Sequence, residues 1–174
     1  MEKWRLLDID NLRNAAMNIA IDEAILLARV KKAVPLTLRF WRNDRAVVIG
    51  YSQSVEAEVN LELCEERGIQ VVRRFSGGGA VYQDLGNLSY TVVVDADHRL
   101  IRNLDIAMSY GVLCSGIVEA LKEIGITAEF RPLSDIFIRD KKVSGSAQSR
   151  KKGVVLHHGT LLVESDLDTL VRVL

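Results

Sequence analysis

Cysteine and proline are nearly missing from this chain, with two of each in 174 residues. Cys64 and Cys114 carry no CxxC or histidine-rich spacing, which excludes a disulfide framework and a zinc site. Both read as reduced core thiols in helix-like segments of a cytoplasmic protein. Pro35 and Pro132 stand alone, so no long linker or disordered region is expected. An excess of either charge is absent as well, because 23 Lys and Arg balance 23 Asp and Glu. Global charge therefore argues for neither nucleic acid nor a membrane surface, and any anion site must be local. No apolar run reaches a membrane span, and Met1-Glu2-Lys3-Trp4 lacks the basic-then-apolar start of a secretory signal. Repeats and low-complexity segments are also lacking. The remainder is 48% hydrophobic and 26% charged, the balance of one soluble domain over 1–174 with a real core.

Periodicity supplies the elements. Asn14 opens a helix over 14–31 that places Met17, Ile21, Ala24, Ile25 and Ala28 on one face, with Asp22 and Glu23 on a solvated one. Leu36–Trp41 alternates like a strand, and Ala46–Gly50 is a continuous apolar run suited to a strand buried on both faces. The short polar turn between them predicts an antiparallel hairpin. Asn60 caps a helix over 61–67 that Gly68 stops. Residues 88–94 form a β-branched strand, and 104–124 a second long helix. That helix repeats Ile106, Tyr110, Leu113, Ile117, Leu121 and Ile124 and ends at Gly125. Strands follow at 127–130, 135–138, 143–147 and 154–163, and Ser165–Asp168 opens a last helix. This order lacks regular βαβ alternation, so the expected class is α+β, a mixed and largely antiparallel sheet with helices packed on it.

Three stretches place small and polar residues where strand packing would prefer Val or Ile. The first is Val71–Tyr90, in which Arg73 and Arg74 precede Ser76-Gly77-Gly78-Gly79. Consecutive glycines cost backbone entropy and bury nothing, so they point to close approach by another group, often an anion held by main-chain N–H groups. The arginines add bidentate donors for carboxylate or phosphate. The second is Lys142–Ala147, the third His157–Thr160. No Gly-Lys-Ser/Thr follows the glycines and the spacing is not GxGxxG, which excludes a Walker A loop and a dinucleotide fingerprint. A Ser76, His158 and Asp84 triad can be drawn, but Ser76 sits in no nucleophile elbow.

RRFSGGGAVYQDLGNLSY, DKKVSGSAQ and HHGTLLVESDLDTL resemble, in the same order, three motifs of the lipoate–protein ligase family. MNIAIDEA and VVIGYSQ resemble its first helix and a strand end beside the acyl chain. The resemblance implies a class II synthetase or biotin-ligase-like fold. It also implies a two-step reaction, in which lipoate and Mg·ATP give lipoyl-adenylate and the acyl group passes to a lysine of an acceptor. Acceptors would be apo-lipoyl domains of 2-oxoacid dehydrogenase complexes and the glycine cleavage H protein. Lys142 matches the lysine that would bridge the carboxylate and the α-phosphate. Arg73 and Arg74 would guard the entrance, with strand alternation allowing only one to point inward. Ser76, Gly77, Gly78 and Gly79 would admit the acyl chain and phosphate, and Ala80 would help hold the adenine. Tyr82, Gln83 and Asn87 belong to the same binding stretch. Gly145, Ser146 and Ala147 would line the adenylate pocket, and His158 and Thr160 the lipoyl tunnel. Asp84 would serve either Mg2+ or a turn cap, and His157 should face away as a core histidine.

Two departures stand out. Gln83 replaces the histidine that many such ligases carry beside the acyl pocket. The family's ligases usually continue past Leu174 into an accessory domain, which here is expected from a separate chain or from a longer protein. Two rival readings remain. One is octanoyl transfer through a cysteine thioester, although Arg131–Ile136, where one branch of that class holds its cysteine, has none. The other is a non-catalytic lipoyl-binding subunit.

Overall fold

The computed structural model describes residues 2–8 and 14–174. In chain order the elements are β1 (Trp4–Asp8), α1 (Ala15–Val30), β2 (Leu36–Trp41), β3 (Arg45–Ile49), α2 (Val55–Glu58), α3 (Leu61–Glu66), β4 (Gln70–Arg73) and β5 (Val81–Asp84). Then come β6 (Asn87–Asp95), α4 (Ile106–Glu123), β7 (Glu129–Arg131), β8 (Asp135–Ile138), β9 (Lys141–Lys151), β10 (Val154–Leu162) and α5 (Leu167–Val173). Seven strands form one sheet in the order β1-β2-β6-β10-β9-β8-β7, and three form a second in the order β4-β3-β5. Among the described residues only β1/β2 and β3/β4 pair in parallel, so the expected α+β class with mixed, mostly antiparallel strands holds. The strands divide between two sheets rather than sharing one.

The predicted hairpin of β2 with β3 does not form. β2 pairs with β6 in the large sheet, and β3 lies between β4 and β5 in the small one. The reason is the composition of β3. Ala46, Val47, Val48 and Ile49 are each at most 2% exposed, and such a strand needs cover on both faces and partners on both edges. The chain changes sheets at Asn43, whose side chain donates to Gln83 and accepts from Asn18. The glycine-rich stretch is no hairpin either, because β4 and β5 flank β3 and residues 74–80 cross over its end. Gly50 permits that crossing, since a Cβ there would lie 2.0 Å from the Gly78 carbonyl oxygen.

Caps and stops fall where expected. Asn14 and Asn60 each accept an N–H from the first turn of their helix, Asp105 does the same for α4, a cap not predicted from the sequence, and Gly68 and Gly125 take the positive φ that ends a helix. The faces differ from expectation. α1 buries Ala15, Asn18, Ile19, Asp22, Ile25 and Leu26, whereas Met17 is 50% exposed. The helix is rotated toward its polar residues because Arg39 waits beneath them on β2. α4 buries Ser109, Leu113, Cys114 and Leu121 but leaves Ile106 and Ile124 exposed, a narrower stripe than its repeat implied.

The β9–β10 hairpin turns at Lys152 and Gly153, both at positive φ, the geometry that matches strand twist. It sends consecutive histidines to opposite faces. His157 is fully buried, 3.6 Å from the Cys114 thiol and 3.4 Å from Gln148, the core histidine the strand period predicts. Burial, reinforced by the neighbouring His158, pushes its pKa down to about 3. The unfolded chain therefore binds one more proton than the folded chain between that value and its ordinary 6.5. Stability from this group is present above 6.5 and falls as pH drops through the window, by at most about 1.4 kcal/mol per pH unit. His157→Gln should remove that slope, so urea unfolding should show the wild-type advantage shrinking from pH 7 to pH 4. A constant difference across that range would refute the assignment.

Candidate active site

A single elongated cleft gathers residues from both sheets. Trp41 of β2, His158 and Thr160 of β10, Gly145 of β9 and Asp135 of β8 all line it. Because β6 separates β2 from β10, the cleft runs across the strands over roughly 19 Å, four spacings of about 4.8 Å. One end is apolar, with Ile19, Trp41, Val48 and Val81. Gln83 joins that end, because Gln83 and Val81 share a face of β5 and pair with Ala46 and Val48. The other end is polar, with Ser134, Asp135, Lys142 and Ser146 beside the small Ala147. Gly78, Gly79 and Ala80 form the wall contributed by the crossing loop.

Lys142 Nζ lies 2.8 Å from Asp135 Oδ2, with the lysine side chain 53% exposed and the carboxylate 25%. Gly145 makes room for it, as a Cβ there would already touch the lysine Cε at 3.4 Å. The amine is thus held at one side of the cleft and can still swing to an incoming anion. Of the two arginines, Arg74 points inward and Arg73 outward. Arg74 is 7% exposed and donates to the carbonyls of Val48, Gly77 and Gly79. It fixes the loop's shape from inside, and burial lowers its pKa. Arg73 instead clasps the carbonyls of Gly50, Tyr51 and Gln53.

Other expected site residues stand behind the cleft. Alternation along β5 turns Tyr82 and Asp84 away from Gln83. Tyr82 sits in the core of the small sheet, where burial raises its pKa to about 12. Asp84 accepts from the backbone N–H groups of Gly86 and Asp166 at 2.8 Å each, so both oxygens cap a turn and the approach to α5. That is the second of its two expected roles, and no cluster of three metal-ligating residues occurs among the described residues. Asn87 donates to the Tyr82 carbonyl and accepts from Ser165, tying the same corner. Gly77 and Ser76 also lie off the cleft surface, although Ser76 reaches it through His158.

The component that sequence reasoning missed is a buried polar chain. Asp22 and Arg39 are both fully buried, 2.5 Å apart. Burial pulls the Arg39 pKa down, while Asp22 opposes that shift. Asp22 Oδ2 also accepts from the Thr91 hydroxyl at 2.7 Å and meets His158 Nδ1 at 3.2 Å. A carboxylate can only accept, so Nδ1 carries the proton, and in the neutral ring Nε2 accepts from the Ser76 hydroxyl at 2.6 Å. In the other direction Arg39 donates to Asn18, which donates to Asn43, which donates to Gln83. Asn18 and Asp22, one helical turn apart, together with an arginine amid apolar strand residues, are the signal that would have found this relay.

Residues 14–174 match the family model described as the lipoyl protein ligase A/B catalytic domain. Lipoate-protein ligase A subunit 1 of Thermoplasma acidophilum is 38% identical over 98% of the chain and 66% of its own length. Octanoyltransferase LipM of Brevibacillus brevis is 35% identical over 100% and 71%. Lipoate-protein ligase LplJ of Bacillus subtilis is 36% identical over 97% and 48%. The chain thus spans between about half and two thirds of the two ligases. A T. acidophilum protein solved with bound lipoic acid superposes at TM-score 0.87 and 37% identity, covering 100% of this chain and 73% of that one. A bi-partite T. acidophilum ligase with its E2 lipoyl domain gives 0.88 and 37%, over 99% and 66%. Lipoate-protein ligase A bound with ATP gives 0.86 and 37%, over 99% and 71%. A biotin acetyl coenzyme A carboxylase synthetase of Helicobacter pylori shares the fold alone, at TM-score 0.50 and 13% identity over 92% and 61%.

Removing one member of a buried ion pair strands the other. Asp22→Ala should therefore destabilise the protein by about 3–5 kcal/mol, read as a lower urea midpoint at unchanged slope. A loss below about 1 kcal/mol would mean that Arg39 is held by its other partners.

Proposed function

The chain belongs to the lipoyl protein ligase A/B catalytic-domain family, and from that premise we propose that it activates a lipoyl-type carboxylic acid with ATP and passes the acyl group to a lysine of a protein acceptor. The family includes both ATP-dependent ligases and octanoyltransferases, so the choice between them rests on the cleft. The observation that carries the ligase reading is Lys142, a half-exposed ammonium at the polar end of a cleft whose other end is apolar. No cysteine lines that cleft among the described residues. Cys64 is packed beneath the small sheet, and Cys114 is fully buried behind Ser146 with its thiol pKa raised by burial. A thioester mechanism needs an accessible, ionisable thiol, and neither cysteine supplies one.

In this reading the acyl chain lies in the apolar end and its carboxylate meets the nucleotide beside Lys142. A carboxylate oxygen attacks the α-phosphorus, a P–O bond forms, and pyrophosphate leaves. Two anions must be brought together for that step, and Lys142 neutralises charge on both. Asp135 gives up its hold on the amine as the more highly charged partner arrives. The exposed backbone of Gly78 and Gly79, shaped by Arg74, offers close approach to phosphate oxygens. Asp135 is the one carboxylate lining the cleft among the described residues, which suits Mg2+ held chiefly by the nucleotide's own phosphates and serving to offset their charge. In the second step an acceptor lysine, as the free amine, attacks the acyl carbon and AMP leaves. A lipoyl domain fits as acceptor, by likeness to the bi-partite system solved with one. The glycine cleavage H protein is a further acceptor of the same chemistry. A separate accessory chain fits the first step.

Incubation with ATP, lipoate or octanoate, an apo-lipoyl domain and a candidate accessory chain, followed by acceptor mass, tests this reading. ATP-dependent acylation is expected. Acylation from a carrier thioester without ATP would replace the ligase reading with the transferase one. Lys142→Ala should slow adenylate formation by about 10²–10³-fold while leaving the circular dichroism spectrum and melting temperature unchanged, because the side chain is half-exposed. Full activity in that variant would remove Lys142 from the reaction.

A further inference from the structure

Gln83 is 4% exposed and lines the apolar end of the cleft. The orientation of its amide follows from a donor-only group three hydrogen bonds away. A guanidinium can only donate, so the Asn18 oxygen accepts from Arg39. The Asn18 amide nitrogen then donates to Asn43 Oδ1 at 2.9 Å, and Asn43 Nδ2 donates to Gln83 Oε1 at 2.6 Å. Each amide in the relay is forced the same way round. The one remaining group is Gln83 Nε2, which has no partner among the described residues and faces a space walled by Ile19, Trp41, Val48 and Val81. The other cleft-lining polar groups do not serve that space. Both ring nitrogens of His158 are taken, and Thr160 sits opposite Gly145 toward the Lys142 end.

We infer that Gln83 makes the apolar end selective for an acyl chain whose far end carries a hydrogen-bond acceptor, such as the sulfur of a dithiolane ring, over a plain alkyl chain of equal length. The inference rests on the acyl-site reading above. A saturated tail ending against Nε2 leaves a desolvated donor unpaired, and a site built around a donor discriminates against ligands that cannot accept. Sulfur accepts only weakly, so the preference should be about tenfold rather than the far larger factors seen for hydroxyl recognition.

Calorimetric titration of the whole chain with lipoate and with octanoate tests this without relying on turnover. The wild type should bind lipoate about tenfold more tightly. Gln83→Leu and the less disruptive Gln83→Met should both bring the ratio close to one, mainly by tightening octanoate. Lys142 is untouched in both, so contacts to the carboxylate are common to every titration. An unchanged ratio in the variants, or a wild type that binds the two acids equally, overturns the selectivity while leaving the acyl site standing. Binding of neither acid to the wild type overturns the acyl site and the selectivity with it.

Discussion

A carboxylate and a guanidinium with no contact to water sit where α1 crosses the large sheet, and most of the cleft is hung from them. Asp22 fixes Thr91 on β6 and His158 on β10, and through His158 it reaches Ser76 on the crossing loop. Arg39 fixes Asn18 on α1, and through Asn43 the relay reaches Gln83 on β5. Isolated burial of either charge would be prohibitive, and even a good pair gains little net stability over apolar residues of similar size. What the pair supplies here is position. It specifies how α1 is rotated, and it sets the rotamers of two cleft-facing side chains that no apolar packing would orient. Arg39 Nε has no hydrogen-bond partner among the described residues, and its guanidinium lies 5.0 Å from the Trp41 ring centre, so part of its surroundings is the aromatic wall of the cleft itself.

Close backbone approach is the second constraint. A cleft that crosses strands needs low side chains along its floor and a loop that can descend onto it. Gly145, opposite Thr160 on the cleft face, meets the first need, while on the other face Gly159 leaves room for Tyr90, whose hydroxyl oxygen a Cβ there would approach to 2.5 Å. Gly50 meets the second by letting Gly78 lie against the end of β3. The small residues of β9 that looked odd for a strand follow from the same geometry. Val or Ile at 145 or 147, opposite Thr160 and His158, would fill the cleft beside Lys142. Binding room and backbone contact are two results of one choice of small residues.

Much of this was legible in the sequence, and the failures share a cause. Helix limits were readable because caps and stops are local chemistry, as at Asn14 and Gly125. The opposite fates of His157 and His158 were readable because strand period is local too. That only one of the two arginines points inward, and that Gly145–Ala147 line the cleft, agree with motif and alternation; which arginine it is was not legible. The polar face of α1 was misread because a helical period cannot tell a solvated aspartate from one that meets an arginine seventeen positions later. The β2–β3 hairpin was misread because a short turn looks the same whether two strands pair or part. Tyr82 and Asn87 were placed at the site by their motif, yet alternation and the DLGN corner turn them to packing and to turn closure. Partner choice across sheets is decided by burial, and burial is not a local property.

Ser76, His158 and Asp22 have the distances of a nucleophilic triad, and the differences decide their role. A triad serine must present its oxygen to a substrate carbonyl, but Ser76 is 2% exposed and off the cleft surface. Its hydroxyl is spent on His158, and its own carbonyl accepts from Tyr51 N–H. A triad aspartate must stabilise an imidazolium, but Asp22 already faces a guanidinium at 2.5 Å, which leaves it little net charge to offer. The same three residue types therefore act as a brace. They lock the imidazole plane against Phe75 and anchor the crossing loop to the sheet. The mobile charge of the cleft is the half-exposed cation at Lys142.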